Sequence, residues 1–174
     1  MVVRVNRAPV MTLWAAVVAE RLGFHEDEAL TIGQAVAGLN AHAKGVRLGI
    51  YTPEPESLKE QRKKLEPQNV LRVDVLHRAV PVVQTEQGLR ALNKGKAVLP
   101  ASVRRYLVSR FGEALPEVRE AMEELAGSFP HEELVRRAYE LYEQFRPSVP
   151  PGVRGWGARG DLDLVKVKAL GRVR

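Results

Sequence analysis

Ala29, Gly33, Ala37 and Ala41 stand four residues apart, with Gly38 beside them, and this line of small side chains constrains the fold more than any other feature of the chain. On a helix such residues stack on one face and let a second backbone approach closely. Each glycine costs a helix about 1 kcal/mol relative to alanine, so the segment needs tight packing in compensation. The preceding segment supplies a partner. Val10, Leu13, Trp14, Val17, Val18 and Leu22 recur at spacings of three and four behind Pro9, which predicts an amphipathic helix over 9–22 ended by Gly23. A second helix is expected over 25–44, opening with Glu26, Asp27 and Glu28, where the helix dipole favours anions, and stopped by Gly45. The two are expected to lie antiparallel, with Trp14 against Gly33 and Ala37.

Past this pair, Val46 to Tyr51 leads to Thr52-Pro53-Glu54-Pro55, and Ser57 with Glu60 forms a capping box for a short charged helix reaching Leu65, closed by Pro67. The period then changes. Leu71, Val73 and Val75 alternate with Arg72 and Asp74, and Val80, Val82 and Val83 form a second β-rich run that Pro81 marks as an edge or irregular strand. Thr85 to Asn93 reads as a helical turn closed by Gly95, before a short run over 97–99. Helices return over 100–111, 115–126 and 130–145, stopped by Gly112, Gly127 and Arg146-Pro147. Pro147, Pro150, Pro151 and Gly152 make a linker, Gly155, Gly157 and Gly160 loosen the chain, and Leu162 to Val167 reads as a final strand.

The expected fold class is therefore mainly α with a small β element (α+β). The organisation expected is a helical N-terminal unit over 1–66, short strands with three helices over 67–145, and a Pro/Gly-rich C-terminal arm over 146–174. "LWAAVVAERLGFHEDEALTIGQAVAGLNAHAKGVRLG" and "GLRALNKGKAVLPASVRRYLVSRFG" resemble segments of uncharacterised conserved prokaryotic proteins with an EF-hand-like or helical N-terminal part. The resemblance implies a fold and no activity.

Composition narrows the chemistry. With no cysteine, disulfides, thiolate zinc sites and cysteine nucleophiles are all excluded, which fits a reducing compartment and an expected place in the cytoplasm. Four asparagines and six glutamines beside 11 prolines and 27 basic side chains suit a thermophile's stiff loops and few heat-labile amides. Arg4 and Arg7 ahead of an apolar run from Ala8 to Ala19 have the plan of a signal peptide. The helical spacing that continues into Arg21 and Leu22 instead makes this run a folded helix. No stretch approaches the ~20 apolar residues of a membrane span, so no membrane partner is expected.

Of the net charge of +6, residues 1–64 contribute nine basic and seven acidic groups, 65–112 eight and three, 113–145 three and nine, and 146–174 seven and two. An acidic block thus sits between two basic ones. Either the basic segments face a polyanion, or the acidic helices neutralise them inside the fold.

Established site patterns fail one by one. A helix-turn-helix would place Glu26, Asp27 and Glu28 against phosphates. His25-Glu26-Asp27-Glu28 and Asp161-Leu162-Asp163 lack the ligands and central glycine of a calcium loop, and Gly95-Lys96 lacks the upstream glycine of a phosphate loop. His25, His42, His77 and His131 are scattered, each without a second histidine at metal spacing, and no serine sits at a nucleophile elbow. Tyr139, Tyr142 and Phe145 form a core stripe rather than a base-stacking platform. In Arg154-Gly155-Trp156-Gly157-Ala158-Arg159 a tryptophan between arginines suits stacking with phosphate contact, or equally a plug for the core.

The leading expectation is a non-enzymatic binding protein without cofactor or metal. Its basic face for nucleic acid or another anionic partner comprises Arg72, Arg78, Arg90, Lys94, Lys96, Arg104, Arg105, Arg110, Arg154, Trp156 and Arg159. The alternatives are a homo-oligomeric interaction protein whose arginines pair with Glu117, Glu120, Glu123 and Glu124, and an enzyme acting on an anionic metabolite through Asp161, Asp163 and His77. Because no structural ligand set is present, chelators are expected to leave the thermal melting curve unchanged; stoichiometric zinc or calcium in metal analysis, lost with stability on chelation, would contradict this.

Overall fold

The computed structural model describes residues 1–47, 70–149 and 158–171. The capping box at Ser57, the Pro67 boundary and residues 150–157 and 172–174 of the Pro/Gly-rich arm, including Arg154 and Trp156, lie outside the described residues. The described chain runs β1 (Val2–Asn6), α1 (Arg7–Arg21), α2 (Glu26–Arg47), β2 (Leu71–Val75), β3 (Arg78–Thr85), β4 (Gly88–Asn93), β5 (Lys96–Ala97), α3 (Pro100–Phe111), α4 (Leu115–Gly127), α5 (His131–Phe145), β6 (Arg159–Asp163) and α6 (Leu164–Leu170). It is mainly helical with two small antiparallel sheets, as expected: β1 pairs with β6, and β2 to β5 form a meander in chain order.

α1 and α2 form the centre. A Cβ placed on Gly33 would lie 2.3 Å from the Thr12 carbonyl oxygen and 3.0 Å from the Ala16 nitrogen, so the two backbones are in contact there. Gly33 lies about as far beyond the Gly23 turn as Thr12 and Ala16 lie before it, which makes the helices antiparallel. The partner of the small-residue line is therefore the Thr12–Ala16 stretch and not Trp14. Trp14 sits on another face of α1, fully buried, with its ring edge-on to Phe145 at 5.3 Å and its indole N–H donating to the Ala138 carbonyl at 2.8 Å. An indole wedge is too bulky for a helix pair held this close, and the space beside α5 accommodates it. The buried side chains form one cluster from Val5 to Val167.

α2 also secures the sheet. Glu28 takes the N–H of Leu89 on one carboxylate oxygen (2.8 Å) and that of His25, the residue before the helix, on the other (3.0 Å). Thr31 accepts from the N–H of Ala91 at 3.0 Å and donates to the Glu28 carbonyl at 2.8 Å. Both strand N–H groups would otherwise be unpaired along the side of β4 that short β5 leaves open. Glu28 is 9% exposed. Burial pushes its carboxyl up, but the two backbone bonds and the charges of His25 and Arg90 outweigh that and hold it below its ordinary value.

Several local expectations change. α2 continues past Gly45 to Arg47, since one glycine weakens a helix without forbidding it. The stretch expected as a helical turn over 85–93 is a hairpin: Thr85 pairs with Gly88 across Glu86-Gln87, and Gly88 has φ +120°. The strand expected over 162–167 ends at Asp163, whose carboxylate accepts from the Val165 N–H at 3.0 Å and opens α6. Val165 and Val167 favour a strand by composition, but the cap decides. Leu76 and His77, both non-glycine at positive φ, make the two-residue turn between β2 and β3. Burial of Leu76 in the core offsets the strain.

Two outcomes follow. Gly33→Ala forces apart two backbones in contact and is expected to cost about 1–3 kcal/mol, lowering the melting midpoint by several degrees; an unchanged calorimetric scan would refute the close approach. Glu28→Gln removes a carboxylate bonded to two N–H groups, at an expected cost of about 1–3 kcal/mol near neutral pH. Because the folded-state value lies below the ordinary 4.5, this stabilisation is complete above about pH 4.5 and lost as pH falls through the lower folded value. Urea titrations across that range should therefore show the gap between wild type and variant closing as pH falls.

Candidate nucleic-acid interface

The basic residues singled out in the sequence divide by environment. Arg90 is buried at 8% exposure, donates to the carbonyls of Leu89 (2.8 Å) and Gln87 (3.5 Å), and turns its charge towards Glu28. Its work is inside the fold. Arg78 is half-buried and donates to Asn40 at 3.2 Å. Arg104 is paired with Asp27 and, at 3.8 Å, with Glu26, tying α3 to the acidic first turn of α2. Arg72 is exposed and opposes Pro81 across β2–β3.

The remaining cations of this segment are exposed. Lys94 (φ +53°) and Gly95 (φ +82°) form the tight turn between β4 and β5, with Lys96 opening β5 opposite Asn93. Both lysines are exposed. After Leu99, itself 64% exposed, the chain enters α3. Val103, Leu107 and Phe111 of that helix are buried and set its inner face, leaving Arg105 on the outer one. Arg105 donates to the Ser102 hydroxyl at 3.2 Å, and Arg110 lies over the Tyr106 ring at 5.4 Å. Burial raises the Tyr106 hydroxyl above its ordinary value, and the Arg110 charge partly offsets this. Among the described residues, no carboxylate pairs with Lys94, Lys96, Arg105 or Arg110.

The acidic helices engage other cations. Arg119 pairs with Glu123 on its own helix at 3.2 Å and with Glu20 of α1, Lys168 approaches Glu124 at 3.9 Å, and Arg137 pairs with Glu133 at 3.3 Å. Burial raises the Glu20 carboxyl above its ordinary value, and Arg119 opposes that rise. Glu117 and Glu120 line a shallow groove of about 150 Å³ with Met1, Leu164, Val165 and Lys168.

The residues of the enzymatic alternative have separate engagements. Asp161 pairs with Arg4 at 3.2 Å and bridges Ser148 through its backbone, Asp163 caps α6, and the His77 ring lies 6.2 Å from Tyr139. Among the described residues no group of three His, Asp or Glu side chains is placed to hold a metal ion, and no helix is long and apolar enough to cross a membrane. Tyr142 and Phe145 are buried, in keeping with a core stripe.

Arg159 lies in the other sheet, exposed and opposite Asn6. The residue after Asn6 is an arginine that the sequence did not single out as a site residue. Arg7, the first residue of α1, donates its Nε–H to the Pro147 carbonyl at 3.0 Å, which puts its side chain on the segment that begins with Arg146. The Arg146-Pro147 helix stop was the one local signal; that it meets Arg7, some 140 residues away, depends on the β1–β6 pairing. Compared with protein-family models, with curated proteins and with solved structures, the chain matches none.

Proposed function

We propose that this is a non-enzymatic binding protein that meets nucleic acid, or another polyanion, with the exposed cations running from the β4–β5 turn along α3. The observation behind this reading is the division of ion pairs. Among the described residues, the ion pairs made by carboxylates of α4 and α5 include those with Arg119, Arg137 and Lys168, while Lys94, Lys96, Arg105 and Arg110 have no carboxylate partner there. Unpaired surface cations raise the local potential and attract phosphate backbones by releasing their condensed counterions. Arg154, Trp156 and Arg159 extend the proposal: arginines for phosphate contact and an indole whose face any base can use, which suits sequence-indifferent binding to single strands.

Fluorescence anisotropy with a labelled single-stranded oligonucleotide tests this. The logarithm of affinity is expected to fall linearly with the logarithm of salt, and Lys96→Ala and Arg105→Ala each to reduce the slope by about 0.7 if each contacts one phosphate. Trp156→Ala is expected to weaken binding by about 1–3 kcal/mol with little change in slope, because stacking releases no counterions. No detectable binding at ~50 mM salt would end the proposal and leave the homo-oligomeric interaction protein in its place.

A further inference from the structure

α3 carries an aromatic ring beside its basic outer face. Ser102, Tyr106 and Arg110 follow one another at intervals of four, so they form a line along the helix, about one turn apart. Val103, Leu107 and Phe111 are buried behind that line. Arg105 reaches back to it, donating from Nη2 to the Ser102 hydroxyl at 3.2 Å, and the Arg110 guanidinium lies over the Tyr106 ring at 5.4 Å from its centre. The ring thus stands between two guanidiniums, one anchored a turn before it and the other resting on it from a turn after.

The half-buried Tyr106 packs against the core, whereas Arg110 is exposed. Arg110 is the charge that acts on the Tyr106 hydroxyl. Among the described residues Glu113, the next carboxylate along the chain, pairs with neither Arg105 nor Arg110, and Arg104 on the opposite flank is taken up by Asp27 and Glu26. A guanidinium is planar and weakly hydrated, and one that already rests on a ring loses less freedom when something joins it. Its second face is a surface on which a nucleobase stacks. Every base has such a face to offer, but only an unpaired one is free to offer it.

We propose that Arg110, stacked on Tyr106, holds an unpaired nucleobase while Arg105 holds an adjoining phosphate, so that the nucleic acid met by this surface is single-stranded. The inference rests on the binding function proposed above and adds which form of nucleic acid is bound and by which residues.

The test titrates the full chain with a labelled oligodeoxythymidylate, with the same strand paired to its complement, and with heparin, a polyanion without bases. The single strand is expected to bind more tightly than the duplex, despite the duplex's higher charge density. Arg110→Lys keeps the charge and removes the planar face. It is expected to weaken single-strand binding by about tenfold with the salt slope unchanged, and to leave duplex and heparin binding as they were. Tyr106→Leu is expected to act in the same way, and Tyr106→Phe, which keeps the ring, to retain wild-type affinity. Because Arg110 is exposed, its variant decides the matter even where Tyr106→Leu fails to fold. Unchanged single-strand affinity in Arg110→Lys would make Arg110 an ordinary phosphate contact and overturn the proposal, as would equal affinity for single and double strands. Either result leaves the polyanion-binding reading standing. Binding of heparin alone overturns the inference and narrows that reading to another polyanion, and absence of binding to all three probes overturns both.

Discussion

The contact of the Gly33 backbone with Thr12 and Ala16 governs the arrangement of everything else. Helices held this close leave no room for side chains between them, so the larger residues of α1 must face elsewhere. Trp14 therefore serves a second layer, where Phe145 and Ala138 of α5 receive it. The same closeness fixes the rotation of α2 about its axis. With Gly33 turned to α1, Glu28 and Thr31 are turned to β4, where they take the N–H groups of Leu89 and Ala91. One steric constraint thus sets both a helix pair and the docking of a sheet.

Charge is distributed according to the same scaffold. Arg90 was part of the basic segment in the sequence, yet it lies within the fold beside Glu28, and Arg104 is committed to the first turn of α2. The cations free of such duties occupy positions that packing does not need: a hairpin tip, a two-residue strand and the outer face of α3. Arg7 and Arg146 differ from these because they are half-buried.

Local chemistry made much of the fold legible. The spacing of Val10, Leu13, Trp14 and Val17 marked α1, the acidic first turn marked the start of α2, and the alternation of Leu71, Val73 and Val75 marked β2. The same reasoning misread Thr85–Asn93, because the only local sign of a hairpin was a single glycine, Gly88, after Glu86-Gln87. It misread Leu164–Leu170 because valine content outweighed the cap that Asp163 forms. Of the candidate interface, the sequence identified the charged residue types and not which of them the fold would leave in solvent.

The sequence by itself determined what depends on neighbours in the chain: helix periods, the demand of a small-residue line for a close partner, the exclusion of cysteine chemistry, and the separation of charge into blocks. Tertiary structure decided that Thr12 and Ala16, not Trp14, answer that demand, that Glu28 caps a strand some 60 residues away, that Arg90 goes inside, and that Arg7 meets the Arg146-Pro147 segment. Helix period and capping arise within a few residues and are written in the order of side chains. Contacts across the chain arise only when burial of apolar surface outweighs the entropy of closing long loops, and which polar groups then meet is settled by how the backbones fit.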